Sequence, residues 1–430
     1  MSWVWLLSNF FSIFMLEVFL GICFVVVMKD WFFVSYSLIF FIVYLFFSMN
    51  DSGEMLIKVI FMLLSLWLVI MMLMSVSQSL KTLDLLFIFI WLLFSLFVVF
   101  YVDSFILFYL GFEMSVIPIL LILFGWGYQP DRLEAGFYML IYTVLFSLPL
   151  LLKIFYLDNL VFSSGETSLS FFMFVMAFLV KLPMVGLHFW LPRAHVEAPV
   201  FGSMILAGVM LKLGGYGVFK LSLILGDFFF KNSKILIVFS LLGGALLSGI
   251  CFVQSDLKLL IAYSSIVHMS IVLSGLLTMH NLGLSGSVMM MVGHGFCSSG
   301  LFCILGLTYN RSMTRSIIMN KGFISVIPIC SFWWFMFCSS NLSFPPCLNL
   351  PGELFLFLSI IVYNNYMYMI LGVFGVLSSL YSVYLFSFSQ QSFSWSFYSF
   401  KSFSLFESLL MLLHWIPLNI LILDLSIMNF

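Results

Sequence analysis

Apolar runs of membrane length, separated by short polar turns, follow one another along nearly the whole of this chain. A helix needs about twenty apolar residues to cross a bilayer core, which predicts roughly fourteen spans. Their centres fall near residues 15, 40, 67, 93, 114, 146, 180, 210, 243, 268, 293, 333, 370 and 415. Pro345, Pro346, Pro351 and Gly352 interrupt the pattern between the spans near 333 and 370. The expected fold class is therefore an all-α polytopic membrane protein.

Two of these runs carry a lysine in their middle. One reads FFMFVMAFLV-Lys181-LPMVGLHFWL and the other PVFGSMILAGVML-Lys212-LGGYGVF. A charge near a bilayer centre costs about 2.5–3.5 kcal/mol on insertion scales, so such groups face a bundle interior or water. Pro183 lacks an amide hydrogen, which is expected to leave the Leu179 carbonyl without its helical partner. Farther on, Pro351 and Gly352 directly precede Glu353 and the run LFLFLSIIVY. Each break sets an ionisable residue beside frayed backbone, tolerated at membrane depth only inside protein or along a wet cavity. Paired interrupted helices are the mark of inverted-repeat transporters. The expected organisation is an N-terminal group of helices over 1–82, five-helix repeats over 83–222 and 233–390, and a C-terminal helix over 391–430. That division rests on pattern alone, without residue-by-residue identity between the halves.

Composition narrows the reading. Of 430 residues, 64% are hydrophobic and 8% charged, and mean hydropathy is +1.23, against about 25% charged residues in a soluble domain. A net charge of −1 gives no basic face for nucleic acid. Cys23, Cys251, Cys297, Cys303, Cys330, Cys338 and Cys347 are scattered and read as small apolar core residues. The opening MSWVWLLSNFF has no Arg-rich amphipathic pattern, so the expectation is insertion where the chain is made, in a bacterium or from an organelle genome. With both termini on one side, the opposite loops hold Lys29, Lys81, Arg132, Arg193, Lys258, Arg311, Arg315, Lys321 and Lys401. The terminal side holds Lys58, Lys153, Lys220, Lys231 and Lys234. That bias puts both termini outside, the intermembrane space in a mitochondrion.

Each remaining ionisable residue has a plain reading and a functional one. Glu113 lies midway along its span, ahead of Pro118, which should kink that helix. It is either satisfied locally or paired with a lysine on another helix, most simply Lys181, coupling the two titrations. His268 and His294 are central in consecutive spans and titrate in the range a relay needs; the plain reading is a histidine bonded to a nearby serine. Ser264, Ser265, Ser270, Ser298 and Ser299 could hold waters between them. Gly208, Gly214, Gly215 and Gly217 flank Lys212 and permit close helix approach. Lys258 fits an inlet or a loop anchor equally. His188 would share a face with Lys181 on an unbroken helix, while Arg193, His195 and Glu197 are expected to form a structural loop network. Glu17 reads as local. Only His280 and His294 have a spacing suited to a haem pair, with His280 in a loop, and no strand leads into a glycine-rich helix start for a flavin or nicotinamide.

The run VKLPMVGLHFWLPRAHVEAPVFGSMILAGVMLKLGGYG resembles the signature region of the NADH-ubiquinone oxidoreductase chain 4 family, antiporter-like subunits in the membrane arm of complex I. The resemblance continues in GYQPDRLEAGFYMLIYTVLFSLPLLL, QSDLKLLIAYSSIVHMS, GHGFCSSGLFCILGLTYNR and FPPCLNLPGELF, covering roughly residues 100–390. It implies fourteen helices with two inverted five-helix repeats about a hydrated axis. It also implies a proton-handling set on Glu113, Lys181, Lys212, His268, His294 and Glu353. A glutamate at 353 separates this type from the subunit 2 and subunit 5 types, where lysine is expected. Tyr128 and Asp131 depart from the family's usual asparagine and glutamate without touching a charged site. The implied activity is proton translocation coupled to electron transfer from NADH to ubiquinone, with no redox centre in this chain. NADH, FMN, iron–sulfur clusters and ubiquinone are then expected in other subunits. Subunits 2 and 5, small accessory subunits and membrane lipids are the implied partners, in the mitochondrial inner membrane. Two rivals are a subunit of a multisubunit sodium/proton antiporter and a non-pumping structural subunit of the arm.

Overall fold

A computed structural model describes residues 31–47, 53–157, 168–391 and 401–428. The span expected near residue 15, with Glu17, Cys23 and Lys29, lies outside them. Among the described residues the chain is helical, with a single isolated bridge between Asp256 and Ser316. In hydrocarbon every backbone amide and carbonyl must be satisfied within its own segment, and these β-branched, Leu- and Phe-rich runs form helices for that reason. Ten described helices are long and apolar enough to cross a membrane, and shorter apolar ones cover Val34–Val43, Ser170–Lys181 and Asn349–Tyr363.

Packing divides the chain into Met1–Ile122 and Leu123–Phe430. In the first unit, α1 (Trp31–Phe47), α2 (Gly53–Ser75), α3 (Leu83–Tyr101) and α4 (Phe105–Met114) each pack on the next. Thr82 caps α3, its hydroxyl accepting from the Leu85 amide at 3.4 Å, and the Lys58 ammonium pairs with Asp103. α5 (Val116–Trp126) resumes after a one-residue hitch at Ser115. The hitch has the cause expected from Pro118, which has no amide hydrogen for the Met114 carbonyl four residues back.

The second unit contains α6 (Arg132–Leu157), α7 (Ser168–Lys181), α8 (Trp190–Glu197), α9 (Val200–Ile205), a π-helical turn (Leu206–Met210) and α10 (Leu211–Asn232). It continues with α11 (Lys234–Cys251), α12 (Leu257–Leu277), α13 (Asn281–Ser312), α14 (Phe323–Val326), α15 (Pro328–Asn341), α16 (Asn349–Tyr363), α17 (Tyr368–Gln390) and α18 (Leu405–Ile420). α13 is buried along its whole membrane-length window, and α12 and the α9–α10 span nearly so, whereas α6, α17 and α18 present most of theirs outward. The core of this unit is therefore α12, α13 and α9–α10, the helices that carry His268, His294 and Lys212. At Gly226 the backbone takes φ +44°, a left-handed conformation open to glycine, and the helical path breaks there.

Two segments are interrupted, as the prolines suggested, but the details differ. α7 ends at Lys181 and α8 begins at Trp190. The Leu179 carbonyl is not orphaned, because it accepts the Met184 amide at 3.3 Å. Trp190 Nε1 reaches back to the Val180 carbonyl at 3.0 Å, tying the halves together. The second break falls over 342–348, between α15 and α16, not at Pro351–Gly352. Pro351 sits in the first turn of α16, where helix amides have no intrahelical acceptor and the missing hydrogen costs nothing. Asn349 Nδ2 crosses this break to the Ser340 carbonyl at 2.9 Å.

Candidate functional site

Lys212, in the first turn of α10, stands two residues beyond the end of the π-helical turn of Leu206–Met210. Such a turn leaves the regular hydrogen-bond register and recurs at functional positions. The Lys212 side chain is fully buried. Its Nζ donates to the Ala207 carbonyl at 2.5 Å and lies 3.1 Å from His294 Nδ1. A buried ammonium costs several kcal/mol unless its hydrogens find acceptors; here the Ala207 carbonyl accepts one, and His294 Nδ1 accepts a second in the tautomer that leaves it without a hydrogen.

From His294 the run of groups continues across α12. The His294 and His268 rings lie 5.6 Å apart between centroids. His268 Nδ1 faces Glu353 Oε1 at 3.5 Å, beyond ordinary hydrogen-bond length but within ion-pair range. Its other nitrogen, Nε2, is 2.8 Å from the Tyr381 hydroxyl. Lys212, His294, His268 and Glu353 thus form one succession across four helices, α10, α13, α12 and α16. Both histidines are about 1% exposed, while the Glu353 side chain keeps 18% exposure, which opens that end of the succession. An imidazole can take a proton on one nitrogen and release it from the other.

Close packing brings the first break to the same region. A Cβ on Gly214, two residues beyond Lys212, would lie 2.7 Å from the Leu182 amide nitrogen and 3.1 Å from the Lys181 carbonyl carbon. The end of α7 therefore rests against α10 through a glycine, and Lys181, 2% exposed, closes α7 at that contact. Gly352 plays the same part at the second break, its Cβ position standing 3.0 Å from the Met290 amide nitrogen on α13. Glu113 is half-buried on α4 in the first unit.

Several sequence-level candidates have other work. Lys258 is an anchor: its Nζ donates to the carbonyls of Val196 at 3.0 Å and Ala198 at 2.5 Å. Arg315 Nη1 donates to the same Val196 carbonyl at 2.8 Å. Arg193, His195 and Glu197 do not form one network. Arg193 pairs with Glu134 at 2.6 Å on the surface, whereas His195 turns inward and lies flat on Phe302 with 4.7 Å between centroids. Neither nitrogen of His195 has a hydrogen-bond partner among the described residues. Beside this loop, burial and the neighbouring Tyr309 push the Tyr128 phenol up, against a lowering by Arg315. His188 stays within the break, its Nδ1 accepting from the Gly186 amide at 3.3 Å. The serines near the histidines each donate to a carbonyl of their own helix, Ser298 to His294 at 2.6 Å among them. Cys251, Cys297, Cys303, Cys330, Cys338 and Cys347 are free and buried, as small core residues would be. No group of three or more His, Cys, Asp or Glu able to hold a metal occurs among the described residues.

Tyr381 is the member that sequence reasoning missed. The chain has 17 tyrosines, so none stands out by rarity as a lysine does in an apolar run. The available signal was its place on the inward stripe of α17, with Leu371, Phe374, Leu385 and Ser389.

The geometry has counterparts among known proteins. Residues 102–379 match the family described as NADH:quinone oxidoreductase/Mrp antiporter, TM. NADH-ubiquinone oxidoreductase chain 4 of Aedes aegypti is 50% identical over 328 residues, covering 73% of each chain. The chain 4 protein of Rhipicephalus sanguineus is 44% identical over 368 residues, covering 83% of this chain and 84% of its own. Among solved structures, a chain of respiratory complex I from Thermus thermophilus superposes with a TM-score of 0.77 at 21% identity, over 85% of this chain and 80% of that one. A chain of the Mrp complex from Dietzia sp. gives 0.81 at 16% identity, over 94% of this chain and 49% of that one. The structural matches carry the fold, and the sequence matches, long and high in identity, carry the lineage: this chain belongs to the NADH:quinone oxidoreductase/Mrp antiporter membrane family, within its NADH-ubiquinone oxidoreductase chain 4 group.

Proposed function

We propose that this chain is a proton-translocating subunit in the membrane arm of respiratory complex I, with Glu113, Lys181, Lys212, His268, His294 and Glu353 as the proton-handling set. The observation that carries the reading is the buried succession Lys212–His294–His268–Glu353. A charge network kept at such depth has a cost that a scaffold would not need to bear. Electrons pass from NADH to ubiquinone on other subunits, which hold the redox cofactors, and their energy reaches this chain as a change in local electrostatics. A change in the charge around Lys181 changes its proton affinity. Protons then pass by way of Lys212, His294 and His268 towards Glu353.

The magnitudes are compatible. Moving one charge against 100 mV takes about 2.3 kcal/mol. Bringing a carboxylate to about 4 Å from an ammonium, at an effective dielectric near 20, is worth about 4 kcal/mol. One pair opening or closing therefore suffices to drive one proton. The expected setting is the mitochondrial inner membrane with both termini on the intermembrane side, subunits 2 and 5 as neighbours, small accessory subunits on the outer faces, and five-helix repeats over 83–222 and 233–390. A sodium/proton antiporter subunit is the second reading, favoured by the structural likeness to the Mrp chain.

The test is proton pumping per NADH oxidised in vesicles carrying Lys212→Ala, with assembly checked on a native gel. Assembled complex that pumps slowly or not at all supports the relay. An unchanged ratio in assembled complex returns the lysine to a structural role. Insensitivity of the transport to quinone-site inhibitors would favour the antiporter reading.

A further inference from the structure

His268 is addressed on both nitrogens by groups from different helices. Nδ1 faces the Glu353 carboxylate of α16 at 3.5 Å, and Nε2 meets the Tyr381 hydroxyl of α17 at 2.8 Å. Tyr381 is fully buried and His268 is 1% exposed, so neither partner is readily replaced by bulk water. α17 otherwise presents mostly apolar residues outward, and Tyr381 lies on its narrow inward stripe. The two rings stand nearly edge to face at 77°, which points the hydroxyl at the imidazole edge and not at its face.

We propose that Tyr381 is a positioning residue for proton transfer: its hydroxyl stays bonded to His268 Nε2 through each protonation state and so keeps Nδ1 aimed at Glu353. The inference rests on the relay reading of this site. When the phenol donates to Nε2, the neutral imidazole must carry its one hydrogen on Nδ1, facing the carboxylate. When His268 takes a second proton, passed from His294 in the relay, that proton adds at Nε2, the nitrogen still carrying a lone pair, and the hydroxyl turns to accept the new N–H as a hydrogen bond. Release of the Nδ1 proton to Glu353 then leaves a neutral imidazole with its hydrogen on Nε2 and a neutral carboxyl. A hydroxyl both donates and accepts, so it follows each of these states. Phenylalanine would follow none, and would leave Nε2 buried without a partner.

The titratable groups on the helices packed around His268 include Glu353, Tyr381 and Tyr384, His294 and Cys297, Lys212 and Tyr216, with Cys251 on α11 and Arg193, His195 and Glu197 on α8. Of these only Glu353 and Tyr381 are placed on the two ring nitrogens of His268 by the distances above. The experiment measures NADH-driven proton pumping in vesicles across pH 6 to 9, on assembled complex carrying Tyr381→Phe, beside Glu353→Gln and Lys212→Ala. The expected result is a fall of about tenfold for Tyr381→Phe, the size of one buried hydrogen bond. The alkaline limb of the profile should also move to lower pH, because the imidazolium has lost an acceptor. A native rate, or a slower rate with the profile unmoved, overturns the proposal. If Tyr381→Phe does not assemble, Tyr381→His takes its place. An imidazole here must move the profile if this position governs His268, and a native rate with a native profile in that variant overturns the proposal equally. Should Glu353→Gln and Lys212→Ala both pump normally, the relay reading fails and Tyr381 with it. Should they lose pumping while the Tyr381 variant behaves as native, only the tyrosine's role is lost.

Discussion

Glu353→Gln removes one charge with almost no change of shape, and its consequence can be sized from the structure. The carboxylate oxygen stands 3.5 Å from His268 Nδ1. At an effective dielectric near 20, a unit pair at that distance is worth about 4–5 kcal/mol to the imidazolium form. Partial solvation of the Glu353 side chain, 18% exposed, takes this down to about 3 kcal/mol. At about 1.4 kcal/mol per factor of ten, a step that depends on this attraction slows roughly a hundredfold when the charge is removed. If that step is obligatory in each cycle, pumping driven by NADH should fall by about the same factor once it becomes limiting. The amide of glutamine fits the space, so assembly should be retained. The assay is the initial rate of lumen acidification in inside-out vesicles, normalised to complex resolved on a native gel. A fall of less than about threefold in fully assembled complex would refute the argument, since it would mean that turnover does not depend on the Glu353–His268 pair.

Three further perturbations separate packing from chemistry. Gly214→Ala sets a methyl 2.7 Å from the Leu182 amide nitrogen, which belongs to backbone and cannot rotate away; a loss of about 1–3 kcal/mol is expected, read as lower thermal stability of the assembled complex. Lys258→Ala removes the donor to two carbonyls, at Val196 and Ala198, each buried carbonyl left unmet costing about 1–3 kcal/mol. The expected result is less assembled complex with an unchanged pumping ratio per complex; a changed ratio would make Lys258 part of the path. Pro351→Ala should alter stability by less than about 1 kcal/mol, because an amide hydrogen in a first turn has no helical acceptor to gain. A large change in that variant's unfolding temperature would contradict the placement of the break at 342–348.

The parts of the site that were legible in the sequence share one property, that they are rare where they stand. Lys181, Lys212 and Glu353 interrupt apolar runs in a chain with 8% charged residues, and such interruptions are costly enough to need a reason. The kink near Glu113 was legible for the local reason that Pro118 removes one amide four residues after Met114. Other features were hidden because their causes are not local. Prolines mark only the neighbourhood of a break, and Pro351 proved harmless because the helix begins two residues before it. The π-helical turn before Lys212 has no proline and no charge to announce it; its residues LAGVM read as ordinary helix. Tyr381 meets His268 across 113 residues of sequence, and no pattern within either helix encodes that distance.

By itself, then, the sequence determined that this chain is a bundle of membrane helices and that a few ionisable residues are held within it. Hydrophobic length and the cost of burying charge depend on composition in a single segment, so one segment at a time is enough to read them. Tertiary structure alone decided which of those residues act together. It set Lys212 on His294, His268 on Glu353 and Tyr381, and Lys258 on loop carbonyls. Hydrogen bonding and ion pairing fall off within an ångström or two of their best distance. Their partners are chosen by how helices far apart in the chain pack together, down to a glycine that lets two backbones touch.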